Sequence, residues 1–184
     1  MCMHSAEISL APHNVREQLN EWSRNNLPRI RKSWDETWMD RVFQIAERSP
    51  DAETQVGAVL LDPASKTLIS DGYNGFIRGA KDHLLPNYRK DDAKYPWMIH
   101  AEHNAVLNAA RVGRATQGAI CYSAYKPCQE CLQYVYQAGI TELVYPKNKK
   151  TAKSIAATDE LDLFYEIFQF VTEGKLKIRE VDYE

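Results

Sequence analysis

The segment from residue 100 to residue 131 reads HAEHNAVLNAARVGRATQGAICYSAYKPCQEC. Its pattern predicts a helix over 101–111, a strand over 119–124 and a second helix over 128–138. A further strand is predicted at 142–145. Because helices and strands that alternate in this way favour a parallel or mixed sheet with helices on its faces, the segment predicts an α/β fold.

The same kind of pattern continues on both sides of this segment. A helix is predicted to start at Trp34, and the β-rich runs 55–61 and 67–73 flank a turn and predict a hairpin. The chain ends with an amphipathic helix around 161–171 and a strand at 176–181. We therefore expect helices and strands to alternate through most of the chain.

Composition limits the classes of function. The chain has 184 residues, with 23 Lys and Arg against 25 Asp and Glu, so no positive field indicates a nucleic-acid partner. The first residues lack a signal-peptide pattern, and no apolar run approaches the length that spans a membrane. These features predict a cytoplasmic protein without a membrane partner. Residues 1–33 are interpreted as an N-terminal extension with a short helix around 15–22, and 34–184 as one domain.

The residues at the two helix starts predict a metal site. Catalytic zinc takes three nitrogen or thiolate ligands and keeps a fourth position for water. His100, Cys128 and Cys131 supply these ligands, and the helix N-termini favour thiolates over thiols. Glu102 lies two residues beyond His100, where a carboxylate can accept a proton from the water and deliver it to the substrate.

Each half of this pattern has other interpretations. A Cys-x-x-Cys pair occurs in thiol redox sites and in structural zinc sites. His103 follows His100 by three residues, so His100, His103, Cys128 and Cys131 are also compatible with a closed, four-ligand structural zinc in a non-catalytic interaction module. That alternative leaves Glu102 beside the metal without a role.

With these motifs, the sequence resembles the deoxycytidylate (dCMP) deaminase family of the cytidine deaminase-like superfamily. The resemblance covers residues 34–145. It is carried by Thr54-Gln55-Val56-Gly57-Ala58-Val59, Asp71-Gly72-Tyr73-Asn74-Gly75-Phe76, His100-Ala101-Glu102-His103-Asn104-Ala105 and Pro127-Cys128-Gln129-Glu130-Cys131. It implies a three-layer α/β/α fold with a mixed five-stranded sheet and flanking helices.

The resemblance also implies how substrate is held. Asn74 would hydrogen-bond the sugar, although Asn-Gly is equally a favoured hairpin turn. The backbone around Ala101 would contact the pyrimidine edge, and Tyr125 would either stack on the base or lie in the core. Phosphate would be bound by cations of the long polar loop over 74–95, and Arg78 is the first candidate. The alternative for each of these cations is an exposed surface charge with no ligand. The other cations of this loop are Lys81, Arg89, Lys90 and Lys94.

The implied reaction is hydrolysis of dCMP to dUMP and ammonia, which supplies dUMP for dTMP synthesis, with one catalytic Zn²⁺. A related hypothesis extends the substrate to dCTP. A rival is a polynucleotide adenosine or cytidine deaminase, which shares the zinc motif. The resemblance further implies a homo-oligomer, with a hexamer favoured, and regulation by dCTP and dTTP, with Mg²⁺ accompanying the triphosphate.

Overall fold

The computed structural model describes residues 15–25, 31–85, 94–147 and 159–183. The chain divides into two compact units, Met1–Lys32 and Ser33–Glu184. In the first unit, α1 (Val15–Asn25) is an 11-residue helix, which includes the short helix predicted there. No helix within the described ranges is long and apolar enough to cross a membrane.

The strands of the second unit are β1 (Gly57–Leu61), β2 (Leu68–Tyr73), β3 (Gly75–Phe76), β4 (Met98–Ile99), β5 (Ile120–Ser123), β6 (Glu142–Pro146) and β7 (Lys177–Val181). Five of them form one sheet in the order β2-β1-β5-β6-β7. The two pairs that include β1 are antiparallel, whereas β5, β6 and β7 run parallel. A separate two-stranded sheet pairs β3 with β4. The helices are α2 (Trp34–Ala46), α3 (Ala101–Arg111), α4 (Gln129–Gln137) and α5 (Asp159–Val171).

The five-stranded sheet is covered on both faces. Because side chains alternate along a strand, neighbouring residues of β1 enter different cores. Ala58 and Leu60 pack with residues of α3, α4 and α5, while Val59 and Leu61 pack with residues of α2. The result is a three-layer α/β/α arrangement around a mixed sheet, which confirms the predicted fold class.

Helix α2 begins where the sequence predicts it to begin. Ser33 accepts a hydrogen bond from the backbone of Glu36, whose carboxylate accepts one from the backbone of Ser33. This capping box satisfies two amides that the helix cannot satisfy. The buried face of α2 then packs directly on β1, where Gly57 lies against the carbonyl of Val42.

The loop predicted over 74–95 contains regular structure. Gly75 pairs with Ile99 and Phe76 with Met98, so this loop folds back on the segment that precedes α3. The backbone φ of Gly75 is not positive, and β3 does not pair with β2, so Asn74-Gly75 does not form a hairpin turn. The interpretation of Asn74-Gly75 as a hairpin turn is therefore wrong. Residues 86–93, including Arg89 and Lys90, lie outside the described residues.

Candidate metal centre and catalytic cleft

The three predicted ligands lie at the starts of two neighbouring helices. His100 is the N-cap residue of α3, and Cys128 is the N-cap residue of α4. The Cys128 sulfur accepts a 3.5 Å hydrogen bond from the backbone amide of Cys131, in the first turn of α4. Behind them, the Tyr165 hydroxyl donates a 2.8 Å hydrogen bond to the carbonyl of Pro127 and so anchors the start of α4.

The donor atoms fit a tetrahedral zinc ion. His100 Nδ1 lies 3.1 Å from Cys131 Sγ and 3.5 Å from Cys128 Sγ, and all three donors lie within 4.8 Å of one another. Ordinary Zn–N and Zn–S bond lengths at tetrahedral angles place such donors about 3.5 Å apart. One nitrogen and two sulfurs at this spacing therefore suit zinc.

Electrostatics at the donor set also favours a divalent cation. Hydrogen bonding from Cys131 and from His100 holds the pKa of Cys128 well below its usual range, which favours the thiolate form that zinc binds. The nearby Cys128 sulfur and burial raise the pKa of Cys131, and the hydrogen bond to Cys128 raises that of His100. Two sulfurs this close resist carrying two negative charges unless a cation offsets them.

Glu102 lies beside the donors and is almost fully buried. Cys131 Sγ lies 3.3 Å from Glu102 Oε2, and the Ser123 hydroxyl donates a 2.7 Å hydrogen bond to Oε1. Ser123 was not predicted from the sequence as a site residue. The one available signal was a polar residue at the end of an otherwise apolar strand.

His103 does not join the metal donors. Among the described residues, the group of possible metal ligands contains His100, Cys128 and Cys131 only. The His103 ring stacks on that of His100 and packs against Tyr134, with ring centroids 4.1 Å apart in the second case. A site closed by His103 therefore has no support from this geometry.

A cleft opens over Glu102 and the donors. Asn74, Ala101 and Tyr125 line it, and Tyr125 also packs against the core beneath α2. Arg78 does not line this cleft. It donates a 2.7 Å hydrogen bond to Asn108 and lines a neighbouring polar cavity. The structure thus places three of the four predicted substrate contacts at the cleft.

The sequence predicts Lys94 as one of the candidate phosphate ligands. The residue lines the cleft, but its surroundings differ from those expected of such a ligand. Its ammonium group is buried and lies 2.7 Å from Asp51 Oδ1 and 3.0 Å from Glu53 Oε2. Both carboxylates form ion pairs with this ammonium group. Neither acid was predicted as a site residue, because both are distant from Lys94 in sequence.

Comparison with known proteins identifies the family. Residues 32–147 match the model of the cytidine and deoxycytidylate deaminase zinc-binding region. Deoxycytidylate deaminases of Mus musculus and Homo sapiens are 39% and 38% identical over 120 residues, which is 63% of this chain. The matched region spans 66% of the length of each of these relatives.

Solved structures share the fold. A dCMP deaminase from the cyanophage S-TIM5, in complex with dCMP and dUMP, superposes with a TM-score of 0.63 at 20% identity, over 83% of this chain and 99% of that one. A diaminohydroxyphosphoribosylaminopyrimidine deaminase/5-amino-6-(5-phosphoribosylamino)uracil reductase from Thermotoga maritima gives a TM-score of 0.53 at 18% identity, over 80% of this chain and 36% of that one. At this identity the solved structures show the fold; the match over residues 32–147 shows that the chain belongs to the family of the cytidine and deoxycytidylate deaminase zinc-binding region.

Proposed function

We propose that this protein catalyses the hydrolytic deamination of dCMP to dUMP and ammonia. The observation that carries this proposal is the position of Glu102, a buried carboxylate in the same cleft as a His, Cys, Cys donor set. Relatives named deoxycytidylate deaminase, at 38–39% identity, support the choice of substrate.

His100, Cys128 and Cys131 would hold the metal. When bound there, zinc supplies a Lewis acid that makes water nucleophilic at neutral pH. Glu102 accepts a proton as water adds to C4 of the cytosine ring, donates one to N3, and then assists protonation of the departing amine. Ser123 holds Glu102 in place during these transfers through its hydrogen bond to Oε1.

Substrate binding is proposed at three cleft residues. Asn74 uses one N–H and one lone pair of its amide on the backbone of Thr54 and Val56, which leaves one donor and one acceptor for the sugar hydroxyl. The backbone N–H of Ala101 is in the first turn of α3, where the helix provides no acceptor, so it is suited to the pyrimidine edge. Tyr125 would pack against the base.

The decisive experiment is the loss of cytosine absorbance when zinc-loaded protein is mixed with dCMP. Turnover that disappears on chelation and returns with added zinc would support the reaction and the metal together. Absence of turnover of dCMP, both alone and with added dCTP and Mg²⁺, would reject the proposal. If the protein turned over dCTP or a single-stranded oligonucleotide but not dCMP, that compound would replace dCMP as the proposed substrate.

Further properties are proposed from the family resemblance. We propose a homo-oligomer, with a hexamer favoured, and regulation by dCTP and dTTP with Mg²⁺. Exposed apolar side chains on α5, including Leu163, Ile167 and Phe170, support self-association, and light scattering with and without dCTP tests both properties. Free cysteines at 121, 128 and 131 support a reducing, cytoplasmic location, and residues 34–184 are the proposed deaminase domain.

A further inference from the structure

A buried ion pair joins two segments that line the cleft. Lys94 begins the segment that leads to His100, and Asp51 begins the segment 51–56. The Lys94 ammonium is 2.7 Å from Asp51 Oδ1, and the two residues are only 1% and 4% exposed. The second carboxylate, Glu53, lies 3.0 Å from the ammonium, but its side chain is 46% exposed. Asp51 is therefore the buried partner of Lys94.

The carboxylate of Asp51 organises the segment that follows it. The same Oδ1 that contacts Lys94 accepts hydrogen bonds from the backbone amides of Glu53, at 2.8 Å, and Thr54, at 3.0 Å. Three donors on one oxygen fix the direction of the chain as it enters 54–56. The orientation of this short segment therefore depends on the position of Asp51.

Residues 54 and 56 in turn hold Asn74. The Asn74 amide donates a 2.9 Å hydrogen bond to the carbonyl of Thr54 and accepts a 2.8 Å bond from the amide of Val56. Contacts made at both ends of the amide group leave it one orientation. A continuous set of hydrogen bonds thus leads from Lys94, through Asp51 and the backbone, to Asn74.

We propose that Lys94 is a positioning residue for the sugar subsite, which fixes the side chain of Asn74 through Asp51 without touching the substrate. This inference rests on the proposed function, since the sugar is that of dCMP. Lys94 is covered by protein and shared by two carboxylates, so it is not open to the substrate phosphate. Its effect reaches the substrate through Asn74.

The catalytic groups are held by different contacts. Glu102 is oriented by Ser123, and Cys128 by the start of α4. Loss of the Lys94 charge should therefore weaken sugar binding more than it slows the chemical step. This separation distinguishes a positioning role from a general loss of structure, which would lower the active fraction and hence the apparent kcat.

The test compares Lys94→Met with wild type on dCMP and on 2′,3′-dideoxycytidine monophosphate, which lacks the sugar hydroxyl. We expect KM for dCMP to rise about tenfold, the effect of losing one well-placed hydrogen bond, with kcat within about twofold. The dideoxy substrate cannot use Asn74 in this way. Its KM should therefore be the same for Lys94→Met as for wild type. Lys94→Arg, which keeps the charge, should restore part of the affinity. An equal rise in KM for both substrates, or a fall in kcat alone, would overturn the inference.

A second measurement does not depend on activity. Hydrogen exchange of the Thr54 and Val56 amides should be faster in Lys94→Met than in wild type and in the control Lys175→Met, whose exposed partner is Glu173. If Lys94→Met does not fold, the double variant Asp51→Asn with Lys94→Met removes both charges and is compared instead. Unchanged exchange at these amides would overturn the positioning role. Failure of wild type to turn over dCMP would overturn the proposed function alone.

Discussion

The hydroxyl of Ser123 donates a 2.7 Å hydrogen bond to Oε1 of Glu102, and both residues are buried. Ser123 is the last residue of β5, and Glu102 lies in the first turn of α3. The central sheet thus orients the carboxylate directly. Because neither group has ready access to bulk water, the bond should matter for the position of Glu102 during proton transfer.

Replacement of Ser123 by alanine should slow the reaction. Loss of the bond leaves Oε1 without this donor and frees the carboxylate to rotate, and we expect kcat for dCMP to fall about tenfold. Zinc content should be unchanged, because Ser123 is not among the donors. The matched control is Ser65→Ala, in an exposed turn, which should retain wild-type kcat. Equal kcat for Ser123→Ala and wild type would contradict the assigned role.

Replacement of Glu102 by glutamine should remove the proton carrier while it keeps the size of the side chain. We expect kcat to fall by about 10²–10⁴, the usual contribution of general acid–base catalysis. Zinc should still bind at the wild-type ratio, measured by elemental analysis. Glu130→Gln, an exposed acid on α4 outside the cleft, serves as the control and should stay active. Near-normal turnover by Glu102→Gln would show that another group moves the protons.

Replacement of Cys131 by alanine should abolish zinc binding. The remaining His100 and Cys128 provide two ligands, fewer than the three of a catalytic site. Cys121→Ala is a strict control, because Cys121 is also a buried thiol but lies outside the donor set. Burial raises the pKa of the Cys121 thiol, which keeps it protonated and a poor ligand. Zinc content should be lost in the first variant and kept in the second; loss in both would contradict the assignment.

The proposed metal ligands were predictable because each is next to a helix start that the sequence itself marks. His100 precedes a helical pattern, and Cys128 and Cys131 follow Pro127 in one turn. The layers of the fold were predictable for a related reason, since long amphipathic segments must bury one face. Local pattern was sufficient for both.

Contacts between distant residues were not predictable in this way. Ser123 and Glu102 are 21 residues apart, and Lys94 and Asp51 are 43 apart. Their pairing depends on how strands and loops pack against one another. The periodicity of a short stretch of sequence does not predict such contacts. The strands β3 and β4 have two residues each, too few to show an alternating pattern, so their pairing was not predicted. Arg78 follows β3 closely in sequence, and its contact with Asn108 was not predicted either.

Replacement of Gly72 by alanine should destabilise the fold. A Cβ atom at Gly72 would lie 2.4 Å from the amide nitrogen of Ala105 and 2.5 Å from the carbonyl of Ala101, so α3 must move away from β2. We expect the free energy of unfolding to fall by about 1–3 kcal/mol, as for other overpacked sites. Chemical denaturation measures this. Gly75→Ala is the control, since its nearest contact is the Tyr73 side chain at 3.1 Å. An equal effect of both variants would contradict the close packing of β2 and α3.

Asp35 should stabilise the protein in a pH-dependent way. Hydrogen bonds from Arg179, at 2.9 and 3.0 Å, hold the pKa of Asp35 below its usual range. A lowered pKa in the folded state means that the stabilisation is complete above about pH 4, the unfolded value, and is lost as pH falls through the folded pKa. Asp35→Asn should therefore lower the unfolding midpoint at pH 7 more than at pH 3.

The control for this comparison is Glu173→Gln, which removes the charge of an exposed pair with Lys175 and should have little effect at either pH. The measured quantity is the difference between each variant and wild type, because other groups also titrate over this range. An Asp35→Asn difference that is the same at both pH values would contradict the coupling to Arg179.

The buried pair of Lys94 and Asp51 has a consequence for how this family diverges. A single neutral replacement at either position would leave the other charge buried without its main partner, which is strongly destabilising. A simultaneous exchange for two neutral residues avoids that intermediate. Positions 51 and 94 should therefore be inherited as a unit, either charged together or neutral together. Related chains that retain the lysine and replace the aspartate with an apolar residue would show that another acid has taken over its place.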